Sequence, residues 1–202
     1  MNETYDTAIV PTGDNHHIPL LTTWLRYLFL LHLISVLLSV VGLIPQLTGI
    51  LGWLARLVSL GCIVVLFRLG AANPRYRKSA IFYAISLGGT VLGAVTGADA
   101  FSTLFSICAI IAEYQEYHSH SELCADRDPA LSCRWTSLFW WQFGIGFLTS
   151  FLMVAGVVIG ILAEVDTDIL TTVVLIPVSL VGIVLELVFL NFLKKTIALY
   201  QK

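Results

Sequence analysis

Six apolar runs separated by short polar breaks make up most of this chain: Tyr27 to Ile44, Leu47 to Phe67, Ala80 to Ala98, Ala100 to Ala112, Leu138 to Ala163 and Ile169 to Leu193. A bilayer core roughly 30 Å thick takes about 20 helical residues to cross. Five of the runs are long enough to do so. The fourth, from Ala100 to Ala112, is short for a span. Its helix can continue past Glu113 and neighbouring helices can shield it, so it counts as the sixth crossing. The expected fold is therefore an all-α, polytopic membrane helix bundle with six transmembrane helices.

Composition agrees. The chain is 57% hydrophobic and 12% charged, where a soluble domain carries about 25% charged residues. With 202 residues given over to six spans, no sizeable domain fits outside the membrane. A net charge of −2 lacks the clustered basic excess that nucleic acid requires, so the lipid bilayer is the first partner.

Direction follows from the basic residues. Arg26 precedes the first run; Arg68, Arg75, Arg77 and Lys78 lie between the second and third; Arg127 and Arg134 lie between the fourth and fifth; Lys194, Lys195 and Lys202 follow the sixth. Of the 11 Lys and Arg residues, only Arg56 falls outside this set. The one-sided pattern arises only if the fourth run crosses, and it puts both termini in the cytoplasm. Residues 1–19 are polar and lack a basic, cleavable leader, which reads as a mobile cytoplasmic tail. Residues 20–202 then form one transmembrane domain with a cytoplasmic loop over 113–137. A bacterial inner membrane is the expected location.

Lipid tails are as apolar as Leu, so helices in a membrane associate through small and polar residues. Gly89, Gly93 and Gly97 form a doubled GxxxG stripe in the third run, and Gly156 and Gly160 form another in the fifth. Both fall in the outer half, where they are expected to pack near each other. Pro177 inside the sixth run removes a backbone donor, which predicts a kink. Trp135, Trp140, Trp141, Tyr27 and Tyr83 read as an aromatic belt at the cytoplasmic interface. Asp128-Pro129 reads as an N-cap followed by proline at the first helical position.

Ionisable residues inside spans are costly, so each is a functional candidate. Arg56 and Glu186 stand out, with His32 beside them. At about 1.5 Å per residue, His32 and Glu186 lie roughly 8 and 10 Å in from the cytoplasmic side, and Arg56 lies near the midplane. Glu186 can pair with Arg56, with His32, or with both, as a neutralised structural knot or as a binding or proton-coupling centre. Arg56 can also turn outward, toward Asp99 or Glu164.

A second candidate is the end of the fourth run. In a continuous helix Glu113, Glu116, Tyr117 and His120 share a face, where two carboxylates and an imidazole suit a divalent metal. In a broken helix His118, His120, Cys124 and Cys133 form a Cys2His2 set. The plain alternative is an interfacial helix whose Glu and His residues face water. Cys62 and Cys108 lie in spans and the other two cysteines in a reducing compartment, so no disulfide is expected.

No GxSxG, HExxH, P-loop or GxGxxG motif is present, and the chain leans away from being an enzyme. No cofactor is expected, apart from the divalent metal just described. In size, span number and placement of the termini the chain resembles the substrate-binding subunits of energy-coupling-factor importers, a likeness of architecture alone. Two functional readings follow. One is a transport-related protein, a solute-binding subunit or small carrier, with its polar centre among the first, second and sixth helices. The other is a scaffold, sensor or regulatory subunit that meets a membrane protein partner, or a second copy of itself, through its cytoplasmic face. A metal-dependent membrane enzyme ranks below both.

Overall fold

The computed structural model describes the backbone at residues 17–42, 48–97, 99–163 and 167–201, and the side chains there other than those at 17, 18, 48, 99–103, 153, 156–176 and 178. The described chain is all-helical, with six helices: α1 (His17–Val41), α2 (Thr48–Leu69), α3 (Pro74–Thr96), α4 (Asp99–Ala125), α5 (Pro129–Ala163) and α6 (Thr167–Leu199). Three described stretches, Pro19–Val41, Gly49–Leu69 and Pro74–Thr96, are long and apolar enough to cross a membrane. The expected tail over 1–19 lies outside the described residues up to residue 16, and α1 already begins at His17.

Each helix packs on its neighbour in sequence, and α6 returns to α1, which closes the bundle into a ring. Short connections make adjacent helices antiparallel. The basic residues therefore gather at one end. Arg75 of α3 pairs with Glu122 of α4 at 2.8 Å, and Asn73 donates to the same carboxylate at 2.8 Å. Arg127 donates to the Leu199 carbonyl at 2.7 Å, and Tyr200 donates to the Leu123 carbonyl at 2.8 Å. Arg26 of α1 meets the side-chain amide of Gln201. Four helices, α1, α3, α4 and α6, are thereby tied together near this end.

The stretch expected as a loop over 113–137 is instead helical except for the turn at 126–128. The apolar run stops at Ala112, but Glu116 and His120 on the next two turns face inward and are buried, so the helix continues on polar contacts. Asp128 starts α5: its carboxylate accepts from the Leu131 amide at 2.9 Å, with Pro129 in the first helical position. At the start of α3, Asn73 caps the helix by accepting from the Arg75 amide at 2.9 Å.

The glycines of α3 divide. A Cβ at Gly89 would collide with the Phe105 ring of α4, so this glycine permits a close helix approach. Gly93 is also buried. Gly97 has φ of 68° and caps the C-terminus of α3 in the left-handed conformation, with no packing neighbour within 4 Å. Gly89 thus packs on α4, the next and antiparallel helix, while the expected packing of this stripe near Gly156 and Gly160 of α5 rests on side chains outside those described. The α6 helix runs unbroken through Pro177, which is exposed.

The aromatic belt is also revised. Tyr27, Trp140 and Trp141 are exposed, as interfacial residues should be, but Trp135 is fully buried and Tyr83 turns its hydroxyl inward. A tryptophan one turn into α5 faces the bundle because its N–H finds a partner there, the Thr196 hydroxyl at 3.1 Å. The core, built from Leu25, Leu28, Leu66, Leu69, Tyr76, Trp135, Phe189 and Leu193, occupies the basic half of the bundle.

Candidate functional site

Three helices bring ionisable side chains together above this core. His32 of α1 stands between two carboxylates. Its Nε2 lies 3.5 Å from Glu116 Oε1 on α4, and its Nδ1 lies 3.4 Å from Glu186 Oε2 on α6. Serving both carboxylates takes a proton on each ring nitrogen. The ring packs on Phe189, with centroids 4.4 Å apart, which fixes its plane.

Glu116 is 1% exposed and is the hub. The Tyr83 hydroxyl of α3 donates to its Oε2 at 3.0 Å, while Oε1 faces His120 Nε2 at 3.8 Å, one turn along α4. His120 in turn has the Tyr76 hydroxyl 2.7 Å from its Nδ1. The imidazole stacks on Trp135 at 4.5 Å with the planes 21° apart. The Trp135 ring is held by Thr196, whose hydroxyl also meets Cys124 Sγ at 3.4 Å. Every step in this network crosses from one helix to another or climbs one helical turn, so its members hold α1, α3, α4, α5 and α6 in register.

Three atoms remain without a hydrogen-bond partner among the described residues: Glu116 Oε1, His120 Nε2 and Glu186 Oε2. All three border His32 or the His120–Glu116 pair. Buried polar atoms left in this way are costly, and here they share one small volume.

From Glu186 a cavity of about 430 Å³ extends between α1, α5 and α6. Val36 and Ser39 line it from α1 and Gly42 from just past its end, Ser179 and Gly182 from α6, and Gln142 from α5. These positions climb successive turns away from the basic end, so Glu186 forms the floor of the cavity. Gln142 also accepts a hydrogen bond from Tyr117, which connects the cavity wall to α4.

The two sites read separately from the sequence thus adjoin. His32 and Glu186 meet, and so do Glu116 and His120, and Glu116 joins the pairs. Arg56 is elsewhere: its guanidinium stacks over Trp53 at 4.7 Å, one turn back toward the N-terminal end of α2. That is the outward-turned arrangement, and it leaves the polar centre among α1, α4 and α6 rather than α1, α2 and α6. Asp99 and Glu164 lie outside the described side chains.

The Cys2His2 set is not brought together. The unbroken helix sends His118 and His120 to different faces, and His118 stacks on Tyr114 and lies 3.9 Å from Glu122. Cys124 is buried and Cys133 exposed. Among the described residues, no group of three or more His, Cys, Asp or Glu side chains is arranged to hold a metal ion. Glu113, on the helix face shared with Glu116, is half-buried.

Tyr76, Tyr83, Trp135 and Gln142 have roles in the network that the sequence reading did not assign. Tyr76, Ser79, Ala80 and Tyr83 recur at helical spacing along α3, and the first three are buried. That spacing marks an inward face with a hydroxyl at each end. The chain matches no family model, no curated protein and no solved structure.

Proposed function

We propose that the chain is a six-span integral membrane protein, a single helical domain with both termini in the cytoplasm of a bacterial cell. Its role on this reading is transport-related, as a solute-binding subunit or a small carrier. The observation that carries the reading is that Glu186 both floors a cavity of about 430 Å³ and touches His32. An ionisable residue in a span is expensive to keep, and a structural knot gains nothing from opening onto a cavity.

The arrangement also supports proton coupling. Glu186, His32, Glu116, His120 and Tyr76 form a line of titratable groups that leads from the cavity floor toward the basic end. An imidazole between two carboxylates can hand a proton from one to the other with a small ring movement. Orientation rests on the basic residues, which gather at the end reached by the relay.

Native mass spectrometry of the full chain in mild detergent tests the reading. A stoichiometric organic adduct, lost in Glu186→Gln while the protein stays folded, is the expected result. A bare wild-type spectrum indistinguishable from that of the variant overturns it and favours a partner-dependent scaffold.

A further inference from the structure

The cavity floor carries an excess of negative charge. Glu116 and Glu186 both contact His32, and among the described residues the groups beside them that can carry positive charge are His32 itself and His120. With Nδ1 of His120 accepting from the Tyr76 hydroxyl, that ring is neutral, and one imidazolium, His32, faces two carboxylates. Among the described residues no Lys or Arg pairs with Glu116 or Glu186, and Arg56 is engaged with Trp53. Above Glu186 the cavity is lined by Ser39, Ser179 and Gln142 beside the apolar Val36, Ile183 and Leu185. A charge deficit at the floor with mixed apolar walls fits a cation that has an apolar body.

We propose that this cavity takes a small organic cation, a primary ammonium, which pairs with Glu186 in place of His32. The inference rests on the solute-binding reading above and names its ligand class. In the empty site the His32 imidazolium bridges Glu116 and Glu186. An arriving ammonium forms a new ion pair with Glu186; the His32 Nδ1–H bond breaks, its electron pair stays on the ring, and the proton leaves to solvent. One positive charge enters and one departs, so the net charge of the centre is conserved. Neutral His32 keeps its Nε2 toward Glu116. The titratable groups around this exchange are Glu186 on α6, Glu113, Glu116 and His120 on α4, Tyr83 on α3 and, electrostatically, Cys62 on α2. None of them is a fixed cation that would compete with the ligand.

Three probes of equal size and different charge test this: benzylammonium, benzyl alcohol and benzoate, titrated calorimetrically into the full-length protein in mild detergent at several pH values. Benzylammonium should bind about tenfold or more tightly than the other two, as a charge-assisted hydrogen bond implies. Because binding expels a proton, its affinity should rise with pH, by up to about tenfold per unit while His32 is charged in the empty site. Glu186→Gln should remove the preference for the cation. His32→Gln should keep that preference and abolish the pH dependence, an outcome that mere loss of structure cannot produce. Benzyl alcohol or benzoate binding as tightly as benzylammonium, with Gly182→Trp blocking the binding, overturns the cation assignment and leaves the cavity as a solute site. No binding of any probe by the wild type overturns the solute-binding reading along with it.

Discussion

The two halves of this bundle are built on different principles. At the basic end, fully buried Trp135, Tyr76, Phe189 and Leu193 interdigitate, and side-chain hydrogen bonds join α3 to α4, α5 to α6 and α4 to α6. Among the described residues of the opposite half, Gly89 packs on the Phe105 ring, and a cavity opens between α1, α5 and α6. In lipid, apolar contact alone gives helices little reason to prefer each other, so the polar network is what holds the basic half together. The candidate site lies where the two halves meet. There, fixed groups hold His32 and Glu116, while Glu186 faces space that a ligand or water can enter.

This contrast makes predictions of graded size. Trp135→Ala should be the most damaging substitution, because it empties the largest fully buried side chain and leaves the Thr196 hydroxyl without its donor. A loss of about 3–5 kcal/mol is expected, measurable by denaturant titration in micelles; a loss as small as that of a lipid-facing residue such as Trp141 would show that the basic half is no core. In the looser half, Gly89→Ala should cost about 1–3 kcal/mol by forcing α3 and α4 apart. Gly52→Ala, whose Cβ would meet nothing within 4 Å, should stay within about 0.5 kcal/mol of wild type. Equal effects at the two glycines would remove the close contact from the account. Asp128→Ala deletes the cap of α5 and should cost about 1 kcal/mol, seen as earlier hydrogen exchange at the amide of Leu131.

The smallest effect is chemical rather than energetic. Burial pushes the Cys124 thiol up, which lowers its thiolate fraction at neutral pH, whereas Cys133 is exposed. Alkylation of the native protein should therefore modify Cys133 and spare Cys124 until the bundle is denatured. Rapid modification of both would place the α4–α5 turn outside the packed half.

Part of this arrangement could be read from the sequence, and its limits have a physical cause. The six helices follow the apolar runs, and Asp128-Pro129 starts α5 where the cap chemistry puts it. Depth along a helix follows from counting residues, so His32 and Glu186 fall at the same level, where they meet at 3.4 Å. Which helices are neighbours does not follow from counting. Arg56 has a plausible depth but the wrong face, since the side chain of an isolated helix can point anywhere around its axis. By sequence Glu116 and His120 read as a separate metal candidate or as part of an interfacial helix, because the apolar run ends before them. Only the packing of α4 against α3, α5 and α6 turns them inward. Trp135 fits an interfacial belt by position and a core by its hydrogen bond to Thr196, which is distant in sequence.

The central claim is that a wet cavity lies on the side of the bundle opposite the basic end and reaches Glu186. Cysteines at Ser39 and Gly182, in a chain whose four native cysteines are replaced by alanine, test it with a membrane-impermeant thiol reagent added to either side of sealed vesicles. The account predicts labelling at both positions from the external face, and slower labelling when benzylammonium is present. Inertness from both faces, or labelling from the cytoplasmic face alone, would contradict it.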